Sequence, residues 1–184
     1  MGKIIAVTGT PGTGKKSVAP LLAEELGLTH LALNDLVPGR GHRRSETLEV
    51  DTKRLRRTLL ARAQGRTVVS GHLVPDVLLR RDVERVIVLR CRPDVLKDRL
   101  SGRGYPRRKV FENVEAELIG VIRWNAVARF GKDKVIDLDT TGLTARRAAL
   151  KAEAMISRRP GTPAATDWLG RYASAAKLRS LLSE

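Results

Sequence analysis

The run Gly9-Thr10-Pro11-Gly12-Thr13-Gly14-Lys15-Lys16-Ser17 sets three glycines, a lysine and a hydroxyl at a spacing suited to polyphosphate. Glycines at 9, 12 and 14 let the backbone turn tightly and aim several N–H groups at one anion. Lys15 supplies a mobile point charge for β and γ phosphates. The helix expected to start in the loop adds its positive end. An apolar segment, residues 3–8, precedes the run, and strand, glycine loop, helix is the context that makes the pattern a P-loop. One position departs from it. Lys16 stands where most P-loops place the Ser or Thr that meets magnesium, and an ammonium group cannot ligate a cation that takes oxygen. Ser17 is the next hydroxyl, expected to meet Mg²⁺ directly or through water. Gly12, Thr13, Gly14, Lys15, Lys16 and Ser17 form the expected ATP contact.

Other residues suit phosphate chemistry. Arg99 and Arg103 lie four apart, which puts them on one helical face. A guanidinium fork matches phosphate oxygens as an ammonium does not. His72 follows the strand-like segment 66–71, where a neutral imidazole could orient a water or bind a phosphate; a purely structural histidine fits the same position. Asp35 fits either a ligand contact or a helix N-cap. Thr140-Thr141-Gly142 reads as a nucleotide-edge contact or a plain turn.

These residues need a scaffold. Apolar, β-branched segments at 3–8, 28–33, 66–71, 85–90 and 134–138 predict five strands. Helical spacing predicts helices from the loop to about Leu26, from Asp51 or Thr52 to Ala63, from Pro75 to Arg80, from Pro93 to Leu100, from Pro106 to Phe130 and from Thr144 to Ile156. Residues 158–163 form a linker. A last helix from Asp167 is expected to carry Leu169, Tyr172, Ala176 and Ser180 on one side, with Trp124 and Trp168 as packing anchors. Alternating strands and helices imply an α/β fold, a five-stranded parallel sheet with helices on both faces. Ligands in such folds bind at the carboxyl ends of the strands.

Composition sets limits. The chain has 184 residues and is 42% apolar but only 3% aromatic, so its core must be aliphatic. Cys91 is the single cysteine, which excludes an internal disulfide and a cysteine metal cluster. No apolar run reaches membrane-spanning length, and a cytoplasmic protein is expected. The net charge is +15. Residues 38–66 hold nine basic and three acidic side chains, and residues 90–110 hold eight and two. Charge so placed attracts polyphosphates and nucleic acids, and equally serves as a solvated surface.

Several stretches together resemble one family. The loop Gly-Thr-Pro-Gly-Thr-Gly-Lys and the run Arg99-Leu100-Ser101-Gly102-Arg103-Gly104-Tyr105 are similar to the loop and lid of the adenylate kinase 6-like family, the coilin-interacting nuclear ATPases of animals and their archaeal relatives. Leu33-Asn34-Asp35-Leu36, Glu46–Asp51, Ser70-Gly71-His72 and Glu112–Glu117 resemble its shorter elements. The resemblance spans about residues 3–157. It implies a P-loop NTPase fold of adenylate kinase type with a short lid. It further implies adenylate kinase and ATPase activity, ATP with Mg²⁺, and a role in maturation of the small ribosomal subunit. Rank-and-file assignments then follow: a kinase domain over 1–157, a nucleoside-monophosphate segment at 38–66, a lid at 103–109 and a basic helical tail at 164–184. Lys15, Arg99, Arg103 and His72 are the expected catalytic groups, with Arg103 also on ATP. Asn34 and Asp35 border AMP. rRNA and a small-subunit ribosomal protein are the implied partners. An ATPase or nucleotide-gated RNA-binding assembly factor is the alternative reading. Two departures make the site more basic: Ser70 replaces an Asp of the family, and His42-Arg43-Arg44 replaces an often acidic stretch.

Overall fold

A computed structural model describes residues 3–37, 51–157 and 166–182. The basic stretch 40–44, the run Glu46–Val50 and the linker 158–163 lie outside the described residues. Five strands form one sheet: β1 (Ile4–Gly9), β2 (Thr29–Ala32), β3 (Thr67–Ser70), β4 (Val83–Arg90) and β5 (Val135–Asp139). Their order is β2-β3-β1-β4-β5, and every pairing is parallel. The helices are α1 (Lys15–Glu25), α2 (Thr52–Arg62), α3 (Val74–Val77), α4 (Pro93–Ser101), α5 (Arg107–Ile119), α6 (Val121–Phe130), α7 (Ala145–Ser157), α8 (Trp168–Arg171) and α9 (Ala175–Leu182). This is the α/β P-loop fold expected from the alternation of segments.

The strands read as continuous apolar runs because both sheet faces are covered. Ile5, Val7, Val68, Ile87 and Leu89 point toward α1 and α7, where they meet Leu22, Ala148 and Ala152. Their neighbours Ile4, Ala6, Val69, Val86 and Val88 point the other way, onto Leu55 and Leu59 of α2 and Phe130 of α6. The period of two along each strand therefore sorts the core into two layers. Asp51 caps α2, its Oδ1 accepting from the Arg54 amide at 2.9 Å.

A third apolar cluster lies beside the sheet. Leu96 and Leu100 of α4, Val110, Val114 and Leu118 of α5, and Cys91 enclose Trp168 and Leu181. The C-terminal residues thus pack on the two helices that flank residues 102–106. Lys97 Nζ donates to the Leu181 carbonyl at 3.0 Å.

Four expectations are corrected. The helix expected from Pro106 to Phe130 is two helices, broken at Gly120. Gly120 has φ 72°, and a Cβ there would sit 3.4 Å from the Arg90 guanidinium; the left-handed turn suits glycine and lets the chain pass Arg90. The final segment is also two short helices; Trp168 is buried as expected, but Leu169 is 49% exposed. Trp124, expected to anchor packing, is 71% exposed. Finally, α4 stops at Ser101, so Arg99 lies on it and Arg103 lies beyond its end. They do not share a helical face.

Replacing Trp168 by Ala empties a large buried site and should cost about 3 kcal/mol. Replacing Trp124 by Ala should cost under about 0.5 kcal/mol. Denaturant unfolding of the two variants checks the contrast; equal effects would contradict the packing described for the tail.

Candidate phosphate-binding site

Because all five strands run parallel, their carboxyl ends lie along one edge of the sheet. β1 delivers residues 9–14 there. β2 delivers Asn34 and Asp35, in a 3-10 turn spanning Leu33–Leu36. β3 delivers His72, half-buried in the turn after Ser70. β4 delivers Cys91 and Arg92, and β5 delivers Thr140 and Thr141. The fold brings Lys15, Lys16, Ser17, Asn34, Asp35 and His72 to this one edge, and α4, which bears Arg99, packs on the loop through Leu96 and Leu100.

The loop's shape follows from its glycines. Gly9, Gly12 and Gly14 have φ 145°, 94° and 104°. Gly12 also permits a close approach: a Cβ there would come within 2.5 Å of a Leu96 methyl group and 3.0 Å of a Leu100 one. The loop therefore lies directly against α4, the helix that bears Arg99. This contact ties the glycine loop to the helix that bears Arg99 without a covalent link.

Lys15 opens α1 and folds over the loop. Its Nζ donates to the carbonyls of Gly9 at 2.5 Å and Thr10 at 2.9 Å. Loss of solvent around the ammonium group lowers its pKa to about 8, against which the Glu117 carboxylate pulls upward. Lys16 and Ser17, in the next two positions of α1, are exposed. Thr13 closes the turn, its amide and its hydroxyl both donating to the Thr10 carbonyl at 3.2 and 2.8 Å. Thr140 braces it from β5, its hydroxyl within 3.1 Å of the Thr13 carbonyl and 2.9 Å of the Arg90 carbonyl. The Thr140 hydroxyl thus ties the loop to the sheet.

The strongest feature of the site was not singled out in the sequence. Glu117 of α5 is 1% exposed. Its carboxylate accepts from the Thr10 hydroxyl at 2.6 Å, from Arg90 Nε at 2.7 Å and from the Cys91 amide at 3.0 Å. Arg90, itself 2% exposed, also donates to the Glu117 carbonyl at 2.8 Å. Glu117 stood in the quoted run 112–117, but a carboxylate on an amphipathic helix carries no sign in sequence of which loop it will meet. Arg90 ends a strand of apolar residues, and that placement was the one available signal for a buried partner.

The expected Mg²⁺ would arrive with the nucleotide, so the fit concerns which oxygens could meet it. Ser17 offers one hydroxyl on the first turn of α1. The Ser70 hydroxyl is engaged elsewhere, 2.9 Å from His30 Nε2 on β2. Among the described residues, no group of three or more His, Cys, Asp or Glu side chains could hold a metal ion. These residues fit a cation held mainly by phosphate oxygens and water, with one protein hydroxyl, which is a common arrangement for Mg²⁺.

Fold and loop together define a P-loop protein of the α/β kind. A family model described as an AAA domain matches residues 5–120. A protein of Thermococcus kodakarensis named "Putative adenylate kinase" is 45% identical over 144 residues, covering 77% of this chain and 78% of that one. A protein of the same name from Methanothermobacter thermautotrophicus is 37% identical over 178 residues, covering 91% and 98%. Among solved structures, a gluconokinase from Sinorhizobium meliloti aligns with TM-score 0.58 at 19% identity, covering 85% of this chain and 93% of that one. A shikimate kinase from Bacteroides thetaiotaomicron aligns with TM-score 0.55 at 17% identity, covering 84% and 98%. The structural likenesses establish the fold. The sequence relationships establish descent: the chain belongs to the adenylate kinase-like P-loop family of these archaeal proteins. Among the described residues, no helix is long and apolar enough to cross a membrane.

The Lys15 environment gives a pH signature. A lysine is charged below its pKa, so raising pH through about 8 removes the cation that lies over the loop, where phosphates are expected. The dissociation constant for ATP should rise about tenfold between about pH 7.5 and 9.5. Titration calorimetry across that range measures it, and a constant affinity would contradict the lowered pKa.

Proposed function

We propose that the protein transfers the terminal phosphoryl group of MgATP to AMP, giving two ADP. The observation that carries this reading is the packing of the Lys15 loop, through Gly12, on Leu96 and Leu100 of α4, the helix that bears Arg99. The acceptor is a phosphate already ionised at neutral pH, so the transfer needs no general base. What it needs is alignment, charge neutralisation and exclusion of water.

In this reading, Gly12 to Ser17 hold the ATP phosphates, and Lys15 leaves the Gly9 and Thr10 carbonyls to meet the β and γ groups. Lys16 adds charge at the mouth of the loop. Ser17 meets the Mg²⁺ that arrives with ATP. Arg99 faces the transferred group, and Arg103, at the head of residues 103–109, reaches it when that lid folds over. Asn34 and Asp35 border AMP at the end of β2, within an acceptor segment that continues through 38–66. Residues 1–157 form the kinase domain and 164–184 a basic tail, whose Trp168 and Leu181 pack with α4 and α5.

A second reading has its own support. His72 sits half-buried at the end of β3, where it could steer a water onto ATP. Arg103, Arg107, Arg108 and Lys109 are exposed, more charge than one nucleotide requires. An ATPase acting in small-subunit ribosome assembly, in contact with rRNA and a ribosomal protein, would use both.

One assay separates the readings. With Mg²⁺, the kinase reading predicts ADP formed from ATP plus AMP faster than phosphate released from ATP alone. Phosphate release unaffected by AMP would favour the ATPase. Lys15→Ala should reduce either activity by at least about a hundredfold; unchanged turnover would overturn the phosphate-cradle assignment itself.

A further inference from the structure

We propose that Glu117 is a positioning residue for ATP, holding the phosphate loop in shape through the Thr10 hydroxyl and linking that shape to the helix that follows the lid. The proposal rests on the nucleotide-binding reading of the loop.

Thr10 is the hub of the loop. Its carbonyl accepts from Lys15 Nζ, the Thr13 amide and the Thr13 hydroxyl. The orientation of that one peptide therefore decides where Lys15 rests and how the turn to Gly14 closes. Among the described residues, the Thr10 side chain is held by its 2.6 Å bond to Glu117. A short bond to a carboxylate is stronger than one between neutral groups. It is also dry: Thr10 and Glu117 are each 1% exposed, so no water can replace either partner cheaply.

Glu117 cannot yield its position easily. Arg90 Nε and the Cys91 amide hold its other oxygen. Arg90 in turn caps the end of α5 through the Glu117 carbonyl. The carboxylate is thus fixed to the end of β4 and presents its free oxygen to Thr10. Residues 102–106 lie immediately before α5, so a shift of that helix during lid movement would act on the loop through this bond.

The test uses the full-length protein and two substitutions at Thr10. Thr10→Val keeps the shape and removes the hydroxyl. Thr10→Ser keeps the hydroxyl. Losing a hydrogen bond to a buried charge should raise the dissociation constant and KM for ATP about tenfold in Thr10→Val. Thr10→Ser should stay within about twofold of the parent. The KM for AMP should be unchanged, and kcat at saturating ATP should fall by less than about threefold. Thermal melting with and without ATP accompanies each measurement, so loss of folding is read separately. A Thr10→Val protein that melts like the parent and binds ATP equally well overturns the assignment. So does an equal loss for both substitutions or for both nucleotides. Failure of the parent protein to bind ATP at all would instead remove the nucleotide reading on which the proposal stands.

Discussion

The arrangement at the sheet's edge depends on one buried carboxylate. Glu117 joins three pieces of chain that are far apart in sequence: the loop through Thr10, the end of β4 through Arg90 and Cys91, and α5 through its own backbone. A buried ion pair contributes little net stability, because each charge has lost its hydration. Removing one partner is what costs, at about 3–5 kcal/mol. The pair therefore acts as a constraint on geometry. It admits one arrangement of loop, strand and helix and penalises the alternatives. Gly120 is part of the same constraint, since the chain must turn left-handed to pass beside the Arg90 guanidinium.

Charge management at the loop follows from this scaffold. Lys15 is tied to two carbonyls in a setting that weakens its hold on its proton. Glu117 opposes that weakening from behind the loop, where it does not compete for the cation by direct contact. Lys16 and Ser17 stay exposed on the first turn of α1. Ser70 makes its bond to His30, at the β2 edge, and supplies no acidic group near the loop. The site's oxygen donors are accordingly few and its cations many, which suits an anion that brings its own metal.

The fold was largely legible because its signals are periodic and local. Five apolar segments, each closed by glycine or a polar turn, marked the five strands. The Asp51 cap and the Gly14-Lys15 start marked helix ends through chemistry confined to a few residues. What could not be read depended on distant contacts. The break at Gly120 arises from Arg90, thirty positions earlier in the chain. Trp168 was expected as a packing anchor, but that α4 and α5 would form its site, leaving Leu169 exposed, was not. Arg103 left the helix because Gly102 and Gly104 end it, although the four-residue spacing to Arg99 suggested a shared face. The loop itself was visible from its glycines, whereas the carboxylate that holds it was not, because hydrogen bonding across 107 positions leaves no local pattern.

The account's central claim is that a Glu117-anchored loop, together with α4, receives the phosphates of two nucleotides aligned for transfer. A crystal structure with a bisubstrate analogue, two adenosines joined by a chain of five phosphates, tests it directly. The account predicts phosphates within the Gly12–Lys15 turn, Lys15 moved from the Gly9 and Thr10 carbonyls onto them, and the Thr10–Glu117 bond intact. It also predicts Arg99 and Arg103 on the bridging phosphates and the second adenosine beside Asn34 and Asp35. Phosphates lying outside the loop, or a bound complex in which Thr10 has released Glu117, would contradict it.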